Sequence, residues 1–452
     1  MKPETFLVEN TTHTKILIFA PEITPRLEYT FGFIFQTILG GELIFSSNPE
    51  EFQQSALPKI NYSPVNLFSG LFLKAHSILF EKTISAQEIE LVEYQQIQLF
   101  FPTSTDSFLP FDPFAAIFYL ISRYEEYLGE NTDEHNRFND SENILVHLGL
   151  HQKPIVDQMA YWVAEKIGEQ IPDFTTRKPT FQQITTIDID NAWAFKHKSP
   201  LVSFGAIMKA VLHGRGDELK QRAVVFLGLR NDPYDTYKYI LETYKGLLNH
   251  ILFFFLIGDR DRFDKNVSHK NKSFRQLIAN MASVCEVGIH PSYSSNEKLW
   301  LFETEKERLE NIIQKPVTQS RQHYLKLKFP KTYQNAIKSG ITDDYTMGFA
   351  RLAGFRAGTC TAFNFFDLSH NSQTELIVHP FQAMDVALKN YLHLNPQKAW
   401  QLIEELMLEV KKVNGTFISL WHNESLRDSG QWLGWREVFE QILEKGLILE
   451  ND

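Results

Sequence analysis

The chain has 452 residues, 43% of them hydrophobic and 22% charged, with a formal net charge of −10. At the usual domain size of roughly 100–200 residues this length predicts two to four domains, and the composition excludes a disordered or collagen-like chain. With no basic stripe the acidic balance excludes nucleic acid as a partner, and Cys285 and Cys360 form neither a CxxC pair nor a disulfide framework, which points to a reducing compartment. The opening "MKPETFLVENTTHTKILIFA" has one lysine, an early glutamate and no long apolar core, so it does not read as a secretory signal. The longest apolar run, "ILFFFLIG" at 251–258, is far short of the ~20 residues of a membrane helix. A soluble, cytoplasmic protein without a membrane span is expected.

Residues 1–175 read as a smaller α/β domain. A strand is predicted at 15–20, and "FDPFAAIFYLISRYEEYLG" predicts one helix. Asp112 is its N-cap, Pro113 its first residue and Gly129 its C-cap, with Phe114, Ile117, Phe118, Ile121 and Leu128 on one face. A second helix is expected over 154–171, and the proline- and threonine-rich stretch 172–180 reads as a linker. From 181 to 452 strands alternate with helices. Candidate strands are "ITTIDI", "HILFFFLIG", "CEVGIH", "PVTQSRQHY", "AGFRAG", "ELIVHP" and "GTFISLWH", and "DPYDTYKYILETYKG" reads as a helix capped by Asp232. Such alternation predicts a parallel α/β sheet or barrel, in which ligands sit beyond the carboxyl ends of the strands.

Those ends carry the chemistry. "TTIDI" runs into Asp188 and Asp190, "CEVGI" into His290, "TQSRQ" into His323 and "TFISLW" into His422. Two aspartates at i and i+2 share one strand face, ~6.6 Å apart, and a buried pair of carboxylates needs a cation or a proton. The plain alternative is that the strand has ended and Asp190 caps the following turn. The histidines also have plain readings: His290 as a loop residue before Pro291, His323 as a packing residue, and His379 in "IVHP" as structural. Histidine with carboxylate suits zinc and its neighbours, with an open position for water.

"IDID" resembles a family-18 chitinase signature, but Ala192 and Thr185 stand where that signature has its acids. The better resemblance, over 181–452, is to the polysaccharide deacetylase superfamily (NodB homology, carbohydrate esterase family 4). "TIDID" is similar to its first motif, which implies Asp188 as base and Asp190 as metal ligand, or the reverse. "HPSYS" keeps His290 as a ligand but has Ser294 where the second ligand stands. "SRQHY" keeps Arg321 and has His323 in place of a proline, so His323 is expected to replace the lost ligand. "LWH" makes His422 the acid. "FDPFAAIFYLISRYEEYLG", "EVGIHPSYSS", "SRQHYL" and "GFRAGT" also resemble a branch of two-domain bacterial proteins with an uncharacterised front domain.

The resemblance implies an α/β front domain followed by a distorted (β/α) barrel of the deacetylase type. It also implies a divalent metal, zinc first, and removal of an acyl group from the nitrogen of an amino sugar. Arg321 would hold Asp188 ionised, and Asp343 or Asp344 would orient His422. Arg356, Trp193 and Tyr293 are the expected substrate contacts. Two other outcomes stay open, an inactive relative that binds saccharide and an amidase for a small non-glycan compound.

Overall fold

The computed structural model describes residues 15–129, 131–171, 174–177 and 179–452. The start of the chain and positions 172, 173 and 178 of the expected linker lie outside the described residues. The chain divides into two compact units. One contains the residues up to Leu128 with Ile155–Pro179 and Phe366–Thr374; the other contains Gly129–Pro154, Thr180–Phe365 and Glu375–Asp452. Relative to the expected spans 1–175 and 181–452, residues 129–154 cluster with the second unit and 366–374 with the first. Side chains explain the first of these: Asp140 accepts hydrogen bonds from the Ala350 and Arg351 amides at 3.1 and 2.9 Å, and the Asn143 amide donates to the Arg356 carbonyl at 3.0 Å.

In the first unit, β1 (Lys15–Phe19), β2 (Glu42–Ser46), β3 (Lys59–Ser63) and β4 (Leu71–Lys74) form a parallel sheet in the order β2-β1-β3-β4. A hairpin, β5 (Leu91–Tyr94) with β6 (Ile97–Phe100), turns through Gln95 and Gln96, both at positive φ. The helix expected from Asp112 is shorter than its pattern: it runs Pro113–Ile121 and is buried on every side. It stops because Arg123 adopts a left-handed conformation, and a separate turn follows at Tyr124–Leu128. That break lets the buried Arg123 guanidinium reach Glu125 at 2.7 Å, Glu126 at 2.9 Å and the Leu120 carbonyl at 3.2 Å. The second expected helix is present as Ile155–Gln170.

Asp112 holds this unit together locally. One carboxylate oxygen caps the helix by accepting from the Phe114 and Ala115 amides, and the other accepts from the Tyr62 hydroxyl at 2.7 Å and the His76 amide at 2.9 Å. Burial pushes its pKa up to about 6 in spite of these donors.

The second unit contains most of a nine-stranded sheet, all but the part of it within 366–374. Its strands are β7 (Gln182–Ile189), β8 (Ile251–Leu256), β9 (Glu286–His290), β10 (Gln319–Ser320), β11 (Asp343–Asp344), β12 (Phe363–Asp367), β13 (Ser372–Val378), β14 (Ala383–Met384) and β15 (Thr416–His422). The order is β12-β13-β11-β10-β9-β8-β7-β15-β14, parallel from β13 through to β14. β8 is buried along its whole length, as a strand covered on both faces must be, which accounts for its unbroken apolar sequence. β12 and β14 are the two edges, and among the described residues no pairing joins them. The parallel α/β sheet that was expected is present, and closure into a barrel is not seen among the described residues.

Three other expectations are corrected. "PVTQSRQHY" supplies only the two residues of β10 before a tight turn, with Tyr324 and Leu325 at positive φ. "AGFRAG" is a turn: Gly354 has φ 138°, and a Cβ there would lie 2.1 Å from the His151 carbonyl. Asp232 does not cap the helix Tyr237–Thr243. Its carboxylate accepts instead from the amides of Ala194, Phe195 and Lys196 at 2.7–2.9 Å and fixes the loop that follows β7.

Replacing Asp112 by Ala removes a cap and orphans the buried Tyr62 hydroxyl. It is expected to cost about 2–4 kcal/mol, read as a lower urea midpoint of the first unit. A change below about 0.5 kcal/mol would show that the four donors find other partners.

Candidate metal centre

Parallel strands that end together bring their last residues together. Asp188 is paired in register with His422 of β15, and His290 ends β9 two strands away. Asp190 follows β7 directly. His323 arrives from the turn after β10, and its left-handed successor Tyr324 is what turns the chain there. One oxygen of Asp190 lies 3.2 Å from Nε2 of His290. The other lies 3.5 Å from Nε2 of His323 and 3.8 Å from Nε2 of His422. The ligand atoms of Asp190, His290 and His323 all fall within 4.8 Å of one another.

Each imidazole is held from behind by its other nitrogen. Nδ1 of His290 meets the Arg321 carbonyl at 2.5 Å, Nδ1 of His323 meets Asp264 at 2.8 Å, and Nδ1 of His422 meets Asp385 at 2.9 Å. A carbonyl or carboxylate only accepts, so each Nδ1 carries the proton, and in the neutral ring Nε2 presents its lone pair to the centre. Outer partners of this kind orient metal-binding histidines. Oδ1 of Asp188 and Oδ1 of Asp190 are buried and accept no hydrogen bond among the described residues. Orphaned carboxylate oxygens opposite imidazole lone pairs fit a divalent cation and are costly without one. Ser294 is not one of this group; its hydroxyl donates to Asp261 at 3.1 Å.

Behind the acids, Arg321 is fully buried between the rings of Phe254 and Phe381, 5.1 and 5.2 Å from their centroids. Its nearest carboxylate is Asp188 at 3.8 Å, an ion pair too long for the hydrogen bond expected of it. Burial lowers the arginine's pKa, and Asp188 and Asp344 oppose that.

Without a cation, the His323 and His422 imidazoles are shifted in the same direction. Burial lowers both imidazoles, but carboxylates outweigh it: Asp190 and Asp264 raise His323 to about 9, and Asp385 with Asp190 raises His422 to about 10. Burial opposes ionisation of Asp190, yet His323, His290 and His422 hold its carboxyl well below the usual range.

A cavity of about 310 Å³ opens over Asp188, Asp190, His290, His323 and His422. Arg137, Phe263, Lys265, Tyr324, Tyr391 and Glu424 stand around it. Arg137 is tied to Asp133 at 2.6 Å and donates to the Tyr324 carbonyl at 2.6 Å, so residues 129–154 brace the turn that carries His323.

The expected substrate contacts lie elsewhere. Trp193 is buried, 4.4 Å from the His197 ring, and does not line the cavity. Tyr293 stacks behind Phe263 at 4.2 Å with its hydroxyl against His135, also off the lining. Arg356 is buried, donates to the Gly348 carbonyl at 3.1 Å and is likewise off the lining. Asp343 pairs with His379 at 2.7 Å, and Asp344 accepts from Ser320 and Thr346, so neither orients His422. That position belongs to Asp385, just past β14, which also accepts from the His422 amide at 2.8 Å and from the Ser425 hydroxyl. A two-residue strand gives no periodic signal, which is why Asp385 was missed. Asp264 lies in the loop that follows β8 (Ile251–Leu256), in "GDRDRFD", where a search for acids beyond that strand finds it with Asp259 and Asp261.

The family of unknown function DUF7033 matches residues 16–172. No curated protein matches the chain. Two solved structures are similar over part of it. One, from Mycobacterium smegmatis, is provisionally assigned as a polysaccharide deacetylase: 13% identity, TM-score 0.39, covering 60% of this chain and 84% of that one. The other is a polysaccharide deacetylase from Bacillus cereus: 12% identity, TM-score 0.28, covering 59% and 88%. These scores are too low to carry a fold or a function across.

The partnership of Asp385 with His422 has a direct readout. In the metal-free protein the His422 imidazole is expected to titrate near 10. In Asp385→Asn the largest raising charge is gone while the desolvation remains, so the midpoint should move down toward the ordinary value of ~6.5. Nuclear magnetic resonance of the histidine ring protons measures both, and an unmoved midpoint would assign the shift to Asp190 and Asp188 instead.

Proposed function

We propose that this protein is a metal-dependent hydrolase that removes an acyl group, acetyl first, from the nitrogen of an amino sugar or a related amide. One observation carries the proposal: three imidazole Nε2 atoms, each fixed from behind through Nδ1, face Asp190 at the floor of one cavity. The likeness of "TIDID", "HPSYS", "SRQHY" and "LWH" to deacetylase motifs supports the same chemistry.

Asp190, His290 and His323 would hold the ion, and two imidazoles with a carboxylate suit zinc at a catalytic position. When bound, it supplies Lewis acidity that polarises an acyl oxygen and acidifies water. Asp188 accepts the proton of the attacking water. His422, protonated at Nε2, donates to the departing nitrogen, which leaves poorly as an anion. Asp385 keeps His422 oriented and charged. Arg321 compensates the buried negative charge of Asp188 from 3.8 Å. The aromatic rings of Phe263, Tyr324 and Tyr391 beside charged Arg137, Lys265 and Glu424 offer a sugar both a stacking face and polar partners.

Elemental analysis of purified protein is expected to find one zinc-type ion per chain, lost in His323→Ala. Full metal occupancy in that variant would remove His323 as the replacement ligand. On an N-acetyl amino sugar, acetate release should be abolished by chelator and restored by zinc. Asp188→Asn and His422→Ala should each lower turnover by roughly 10²–10⁴-fold with the fold intact. The pH profile should lose its alkaline limb in His422→Ala, because that limb reports loss of the histidine proton. Metal-loaded protein that releases no acetate from a panel of N-acetyl sugars would reject the deacetylase; saccharide affinity would then identify a binder, and turnover of other amides an amidase.

A further inference from the structure

Between β7 and β8 the chain makes an excursion whose two ends are clasped together, because Asp232 accepts from the amides of Phe195 and Lys196. The excursion contains two packed helices, Pro200–Leu212 and Gly216–Phe226. The first is built inside out. Its inward side has mostly small residues, with Ala210 buried and Val202, Ser203 and Ala206 half-buried. Its outward side has Leu201, Phe204, Ile207, Met208, Val211 and Leu212, of which Leu201 is 85%, Phe204 64% and Leu212 77% exposed. These positions recur at three- and four-residue steps, so they form one continuous stripe. At the far end of the second helix Phe226, Leu227 and Leu229 are exposed as well. A packed domain does not ordinarily turn its large apolar residues outward and its alanines inward, and an apolar patch of this kind marks an interaction surface.

The charge around the stripe identifies the partner. Residues 200–230 hold Lys209, Arg215, Lys220, Arg222 and Arg230 against only Asp217 and Glu218, a local positive surplus in a chain of net charge −10. Lys209, Arg215, Lys220 and Arg230 are exposed. A second copy docking this face on its own twin would set basic rim against basic rim, which like-charge repulsion opposes. A bilayer carrying anionic phospholipid satisfies both features at once: apolar side chains enter the interface, and lysine and arginine meet the headgroups. We propose that this hairpin seats the protein on an anionic membrane surface. The proposal stands on this surface alone and holds whether or not the chemistry assigned to the metal centre is right.

Sedimentation with vesicles tests it, using the full chain. Wild type should pellet with vesicles of equimolar phosphatidylglycerol and phosphatidylcholine, and much less with phosphatidylcholine alone or at high salt. The combined substitution Leu201→Gln, Phe204→Gln and Leu212→Gln changes exposed positions only, so circular dichroism and the urea midpoint should be unchanged. It should nevertheless weaken partitioning by about tenfold or more. Lys209→Glu with Arg215→Glu should weaken binding to the mixed vesicles and leave the apolar stripe intact. Three results overturn the proposal: wild type that stays in solution with the mixed vesicles, an apolar variant that pellets as well as wild type, or a wild-type dimer that the apolar variant dissociates while neither binds vesicles.

Discussion

The compensation of one carboxylate, Asp190, governs the arrangement of the second unit's centre. A carboxylate at the floor of a cavity needs positive charge or donors, and here the partners come from the ends of three different strands. His290 ends β9, His422 ends β15, and His323 hangs from a turn after β10. Each of them is locked by a group one layer further out: His290 by a backbone carbonyl, His422 by Asp385 and His323 by Asp264. The geometry is thus set by acceptors that never touch the centre, and the same acceptors decide where the imidazole protons reside. Arg321 adds a buried cation without hydrogen-bond partners among the described residues, gripped by two phenylalanine rings, so its charge is directed at Asp188 rather than spent on neutral groups.

Much of this was legible from the residues. Long apolar strands are the strongest pattern a sequence contains, and β7, β8, β9 and β15 lay where their patterns put them, which also located the acids and histidines at their ends. Short elements were not legible: β10, β11 and β14 are two residues each, so neither the turn that redirects His323 nor the position of Asp385 leaves a period to detect. Tertiary demands overrode local pattern elsewhere. The helix after Asp112 stops at Arg123 because a buried guanidinium takes its partners there, and Asp232 spends its carboxylate on a loop instead of a helix. Trp193, Tyr293 and Arg356 lie close in sequence to the strand ends and motifs, and sequence proximity does not say which side chains face the cavity.

The division into units also departs from a simple cut of the chain. Residues 129–154 belong with the second unit because Asp140 and Asn143 bond to its backbone, and Arg137 from the same stretch holds the carbonyl of Tyr324. A segment that reads as the tail of the first domain therefore steadies a proposed ligand of the second.

The register of β7 has a consequence for synthesis of the chain. β7 pairs on one side with β8, which follows it by some sixty residues, and on the other with β15, which ends at His422. Until β15 leaves the ribosome, one edge of a largely buried strand has no partner, and the centre lacks the imidazole that sits opposite Asp188. A nascent chain must keep that edge from pairing with another chain while more than two hundred further residues are made. The exposed polar groups of a half-built sheet are thus a folding liability written into the same strand order that gathers the site.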